Sequence, residues 1–210
     1  MNLMKHSGKR MFQNPILELL SKTGPAMMTS FHLILITWLL YRGWTIHHYS
    51  GLWPFVAVFL GGFVVWTFAE YMLHRYVFHF VRDNKLVQIF HYTLHGYHHS
   101  EPNDSNRLFM PPIPAALFLL AFYGLFYLIM GNLASVFLAG FEFGYLIYSN
   151  MHYRVHTSKP PKLLKPLWKH HVMHHFKYPD KAFGVSSRFW DRVFQTMPPE
   201  EHTGPAKVKA

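Results

Sequence analysis

Between Leu52 and Ala69 the chain runs for eighteen residues without a charge, and no other feature limits its fold so strongly. As a helix rising ~1.5 Å per residue, that run spans ~27 Å, close to the thickness of a bilayer's hydrocarbon core. Three further stretches share its character. Thr29 to about Tyr49 is mostly apolar, with Arg42 near its far end, and Pro114–Met130 and Asn132–Ser149 follow later. Gly51 and Pro54 suit a turn between the first two runs, and Gly131-Asn132 marks the tip between the last two. The economical expectation is an all-α integral membrane protein. It has four transmembrane helices in two hairpins, with spans at about 29–49, 52–69, 114–130 and 132–149. Gly61, Gly62, Gly140 and Gly144 would let such helices approach closely. A soluble helical bundle is the alternative; the length and purity of the runs count against it.

Charge points the same way. Only 14% of the residues are charged, against roughly 25% in an average soluble domain. The net charge is +10, but the basic residues fall between apolar runs instead of forming a stripe with exposed aromatics. A lipid surface is therefore the expected partner, and nucleic acid is not. With four spans, nineteen of the twenty lysines and arginines lie on one side and Arg42 alone on the other. The positive-inside rule places that side in the cytoplasm. Residues 1–28 read as a basic interfacial segment holding one short amphipathic piece, Pro15 to Leu20. They do not read as a secretory signal, because the apolar run that follows is too long and lacks a small-residue cleavage site. Residues 29–210 read as a single membrane domain, with a cytosolic cap made of 70–113 and 150–210.

Ten of the 17 histidines fall in four short clusters, all on the basic side: His74 and His79; His95, His98 and His99; His152 and His156; His171, His174 and His175. Residues three and four apart share a helix face, so three of the clusters can turn their rings toward one point. His74 and His79 are five apart, ~140° round an ideal helix, and fit only if the span end is frayed or carries a π-bulge. A single H-x-x-x-H pair beside a membrane has no special meaning. Four clusters on one face do, because neutral imidazoles gather to share an ion. His6, His32, His47, His48 and His202 lie outside the pattern and have no expected role; His91 and His170 adjoin it as supporting residues. The chain has no cysteine, so the donors are imidazole or carboxylate. Ten imidazoles suit two ions with about five ligands each. Ligand type leaves zinc, copper, iron and nickel open. The placement beside lipid favours iron, since an inert acyl carbon–hydrogen bond needs a redox metal and dioxygen, and zinc has no redox chemistry. Zinc in the same sites of purified protein is compatible with this.

The clusters resemble the histidine boxes of the fatty acid hydroxylase superfamily, which includes sterol desaturases. The residues that carry the resemblance are Glu70–Phe80 (EYMLHRYVFHF), His95–Ala115 (HGYHHSEPNDSNRLFMPPIPA), Phe143–His156 (FGYLIYSNMHYRVH) and His170–Thr196 (HHVMHHFKYPDKAFGVSSRFWDRVFQT). The P-x-D-x-x-R-L-x-x-P-P run after the second box is similar to the fatty acid 2-hydroxylase branch. The resemblance implies a dimetal centre in which one ion takes His74, His79, His95, His99 and His174. The other ion takes His98, His152, His156, His171 and His175. Two positions depart from the family pattern: Ser149 where it often has Asp, and Thr157 where a second His often follows the box. Neither is an implied ligand. Fungal and animal relatives carry an N-terminal cytochrome b-type haem domain, for which the residues before Thr29 leave no room. The expected electron donor is therefore a separate protein, a cytochrome b-type protein or a ferredoxin with its reductase.

The expected function is dioxygen-dependent hydroxylation of a lipid acyl chain at carbon 2, in a free fatty acid or in the acyl chain of a sphingolipid or ceramide. The setting would be a multi-pass protein of a bacterial inner membrane or an endoplasmic reticulum membrane. Glu142, a carboxylate inside the fourth span, together with Tyr145 and Tyr148, is the candidate lining of an acyl channel. Asp104 and Arg107 either pair in the loop over the site or meet a lipid headgroup. Phe189 and Trp190 are expected to pack a helix against the membrane. A sterol methyl oxidase, sterol desaturase or carotenoid hydroxylase would share the metal site and differ in the pocket. A metal transporter would place its ionisable ligands near the bilayer midplane, whereas these histidines lie past the span ends.

Overall fold

Prolines in first turns and capping side chains set where the helices begin. The structure is a computed structural model and describes residues 10–47 and 49–199; His6, His48 and His202 lie outside them, as do Lys5 and Lys9 of the basic segment. Helix α1 (Pro15–Leu20) starts on Asn14, whose side chain accepts from the Ile16 and Leu17 amides. Helix α2 (Pro25–Ile46) also opens with proline, so it begins inside the expected interfacial segment and not at Thr29. Helix α3 (Leu52–Met72) passes without a break into a π-helical turn, Leu73–Phe78. Asn84 caps α4 (Lys85–His91), a second π turn covers Tyr92–Gly96, and α5 (Tyr97–Ser100) follows. Helix α6 (Pro112–Met130) and helix α7 (Ala134–Thr157) flank a short 3-10 turn, Gly131–Leu133. Helices α8 (Lys165–Phe176) and α9 (Phe189–Val193) complete the described chain, among whose residues there is no strand.

Helix α7 is the centre of the packing, touching α2, α3 and α6. Its contact with α3 is close enough to need glycine on both sides. A Cβ at Gly62 would lie 1.9 Å from the Phe137 carbonyl oxygen, and one at Gly140 would lie 1.8 Å from that of Phe59. Gly144 meets the Trp66 side chain in the same way, whereas Gly61 has ordinary room beside Phe137. Around this spine lies a core of Ile36, Leu39, Trp66, Phe126, Leu138 and Phe141. The outer faces are apolar as well: Ile34, Val64, Leu117 and Leu128 are more than half exposed. So large an exposed apolar surface marks contact with lipid or protein.

Among the described residues, two segments are long and apolar enough to cross a membrane, Leu52–Phe78 and Pro112–Thr157. The second takes in both of the later expected runs. Helix α2, which carries Arg42, is not among them. Arg42 itself donates to Tyr123 Oη at 2.6 Å and to Ser135 Oγ at 2.5 Å, tying α2 to α6 and α7. Helix α7 continues two turns past the expected end at Ser149, and α3 extends through its π turn. Those extensions carry His152 and His156, and His74.

The N-terminal segment is held down by polar contacts. Glu18 is buried and pairs with Arg107, while Thr23 bonds the backbone of Asn106 and Phe109. Burial alone would raise the Glu18 carboxyl; the Phe12 amide, Lys22 and Arg107 outweigh it and bring it to about 2. Helix α1 thus keeps a charged inner side, with Ile16 and Leu19 turned outward.

Candidate metal centre

The ten clustered histidines come together as two groups of five. His74, His79, His95, His99 and His174 form one; His98, His152, His156, His171 and His175 form the other. Within each group the ligand atoms lie within 4.8 Å of one another. The membership matches the split that the family resemblance implies, with His98 and His174 each joining the group away from part of its own sequence cluster.

Local backbone explains the split. In the first group, the π turn at Leu73–Phe78 adds a residue to the helical turn, so His74 and His79, five apart, point the same way. The π turn at Tyr92–Gly96 delivers His95 beside them, with His99 four residues on. The second group uses ordinary helix spacing: His152 and His156 on α7, His171 and His175 on α8. His98 and His99 are neighbours on α5, as are His174 and His175 on α8, and each pair is divided between the groups. The groups abut where the rings of His99 and His175 stack at 4.3 Å.

Every close contact inside the groups is between Nε2 atoms. The first group has separations of 3.0 Å for His74–His95, His79–His174 and His99–His95. The second has 2.9 Å for His152–His98 and His156–His171, 3.0 Å for His175–His171 and 3.1 Å for His98–His175. Imidazole–metal bonds of ~2.0–2.1 Å meeting at a right angle put their nitrogens ~2.9–3.0 Å apart, while a tetrahedral set would spread them to ~3.4 Å. The spacing therefore fits five imidazoles on one ion in each group. The ring orientation fits too. His74 Nδ1 donates to the Phe183 carbonyl at 2.5 Å and His174 Nδ1 to the Lys181 carbonyl at 2.7 Å. A neutral ring whose Nδ1 carries the proton presents a bare lone pair at Nε2.

The rings stay neutral because they are buried and crowded. Burial first, and neighbouring imidazoles second, bring His79 and His99 down to about 3. His95, His98 and His171 are held well below the ordinary range for the same two reasons. His174 falls to about 4, burial outweighing its bond to the Lys181 carbonyl.

Two carboxylates that the sequence reading did not single out hold the frame. Asp191 is fully buried; it accepts from the Phe183 and Gly184 amides and from Thr196 Oγ1, and it pairs with His170 Nε2 at 3.0 Å. Burial would raise this carboxyl, and the His170 and Thr196 bonds more than reverse it. Glu70 accepts from the Val185 and Ser186 amides at 2.8 Å and from Ser186 Oγ. Together they fix loop 181–187, which presents the carbonyls that aim His74 and His174. His170 thus acts through Asp191, and His91 donates to the Phe78 carbonyl at 2.7 Å, steadying the π turn. Both carboxylates lie inside the quoted family segments, which is the one sequence signal that could have found them.

An apolar cavity of about 300 Å³ opens onto both groups, with His95, His98 and His152 in its wall. Glu142, Tyr145, Tyr148 and Arg107 also line it. Asp104 does not; it is buried outside, bonded to Arg107 and to Tyr97 Oη. Glu142 is paired with His32, whose Nδ1 lies 2.7 Å from Oε2, so His32 has a partner that its solitary place in the sequence did not suggest. Ser149 bonds back to the Tyr145 carbonyl and Thr157 to that of Tyr153, both within α7. Trp190 donates to Thr67 Oγ1 and packs on Phe68, while Phe189 is exposed.

Comparison with known proteins agrees with this architecture. The family described as fatty acid hydroxylase matches residues 59–196. The chain is 33% identical over 216 residues to fatty acid 2-hydroxylase of Mus musculus, covering 91% of this chain and 57% of that protein. It is 34% identical over 195 residues to a dihydroceramide fatty acyl 2-hydroxylase of Arabidopsis thaliana, covering 91% of this chain and 81% of the relative. A solved structure of full-length scs7p, with only the hydroxylase domain visible, superposes with a TM-score of 0.83 at 34% identity, covering 90% of this chain and 71% of that one. The chain thus spans little more than half the length of the mouse relative.

Proposed function

The chain belongs to the fatty acid hydroxylase family, and from that premise we propose that it hydroxylates carbon 2 of a lipid acyl chain, free or amide-linked as in a ceramide. The observation that supports the proposal is the apolar cavity lined by His95, His98 and His152, which between them belong to both histidine groups. The ten histidines would hold two metal ions, five each, and iron is the choice that suits the chemistry. Bound there, a redox metal pair would supply the activation of dioxygen that an inert carbon–hydrogen bond requires.

The chain's own residues do the rest. Carbonyls at Lys181 and Phe183 keep protons on Nδ1 and leave Nε2 free to bind. Apolar walls from α6 and α7 exclude water and hold the acyl chain against the histidine end of the cavity. Tyr145, Tyr148 and Glu142 would contact that chain, and Arg107, anchored by Asp104 and Glu18, would border its entry. One oxygen atom of dioxygen enters the carbon–hydrogen bond. The other leaves as water, taking two protons and two electrons from a separate electron-transfer protein. Residues 29–210 would form one multi-pass domain with four spans in two hairpins. The basic residues flanking the histidines support a cytoplasmic position for the centre.

The test is mass spectrometry of lipids from cells expressing the wild type or His174→Ala. The wild type should raise 2-hydroxy acyl lipids and the variant should not. A rise of equal size with both would overturn the proposal.

A further inference from the structure

The cavity walls are mainly apolar, and a buried polar pair lies among the lining residues deepest along α7 from His152. His32 of α2 and Glu142 of α7 both line it, joined at 2.7 Å, and are only 2% and 6% exposed. The other nitrogen of His32, Nε2, is buried and has no hydrogen-bond partner among the described residues. Trp66, Phe122 and Phe141 also line the cavity, with Trp66 and Phe122 each against the Phe141 ring, at 5.0 and 4.7 Å. The distance from the histidine centre is set by α7. Glu142 precedes His152 by ten residues on one helix, a separation of ~15 Å, which an extended chain of roughly a dozen carbons fills.

An acyl tail that stops short of the pair meets apolar side chains and the rings of Tyr145 and Tyr148. A longer tail presses methylene groups against an imidazole and a carboxylate, and removes any hydration they retain without replacing a hydrogen bond. We propose that the His32–Glu142 pair is a chain-length stop, which selects acyl groups extending no more than about a dozen carbons past the reacting carbon. The inference rests on the acyl-hydroxylase reading and adds a substrate preference to it. If the pair only tied α2 to α7, its replacement would leave length preference unchanged.

The decisive variant replaces both members, His32→Leu with Glu142→Leu, because a single replacement would strand the other group unpaired. Binding is read without turnover, from quenching of Trp66 by fatty acids brominated at the tail, in a series of increasing length. The Trp66 signal is the difference between each protein and its Trp66→Phe counterpart. In the wild type, affinity should fall about tenfold once the tail reaches the pair. In the double-leucine protein the fall should move to longer tails, and in His32→Gln with Glu142→Gln, which stays polar, it should remain in place. No fall in the wild type, or the same fall in the double-leucine protein, would overturn the stop. Hydroxylation assays separate this from the underlying reading. Length-dependent quenching without any hydroxylated product would sink the hydroxylase reading and leave the stop standing. Hydroxylation with a flat length profile in the wild type would sink the stop alone.

Discussion

The two histidine groups hold equal numbers of rings and assemble them by different means. The first is built on distorted helix, and two of its rings are aimed by carbonyls of loop 181–187. That loop is in turn fixed by Glu70 and Asp191. The second is built on regular helix. Its His152 is bonded to the backbone at Leu108, while Nδ1 of His98, His171 and His175 is buried without a hydrogen-bond partner among the described residues. The difference shows two ways to pre-orient a ligand: a chain of hydrogen bonds from outside, or helix periodicity within. The first, hung on loop 181–187, is more open to disruption at a distance than the second.

Asp191→Ala should break the comparison open. It removes the acceptor for two amides, a hydroxyl and His170, so loop 181–187 loses its frame. Loss of a hydrogen bond supporting a ligand commonly weakens metal affinity ~10–100-fold. That loss should fall on the first group and spare the second, as read by metal titration of the two sites. Equal weakening of both would mean that loop 181–187 does not act selectively.

A smaller effect should come from acid and applies to the metal-free protein. Unfolded imidazoles titrate near 6.5, whereas His79 and His99 in the fold titrate at about 3 and His174 at about 4. Between those limits the unfolded chain binds more protons, so stability is complete above the unfolded value and declines as pH falls from ~6.5 toward the folded values. Thermal melts of chelator-treated protein should show a midpoint falling steadily from pH 7 to about pH 4, and bound metal should offset that fall. A midpoint indifferent to pH over the interval would contradict the burial of neutral rings.

Much of this was readable from residue order, and the reasons are physical. Spacing of three or four on a helix is a local property, so His152 with His156 and His171 with His175 could be paired on sight. His74 and His79 needed a π turn, which the five-residue gap named as a condition. The runs at 52–69 and 114–149 are visible because hydropathy is also local. Other features depend on contacts between distant parts of the chain. Glu70 meets Ser186 and Asp191 meets Phe183 across a loop whose shape the sequence does not display. His32 and Glu142 sit 110 residues apart, and Glu18 finds Arg107 only once the N-terminal segment lies over the cavity. Of the four expected runs, those at 52–69, 114–130 and 132–149 fall within the two segments of the described residues that are long and apolar enough to cross a membrane, and the run at 29–49 does not.

Metal analysis of the purified protein tests the two-group centre most directly. The expected ratio is two ions per chain, falling to about one in His171→Ala, where the first group stays intact. A wild-type ratio of zero, or one that does not change in His171→Ala, would contradict it.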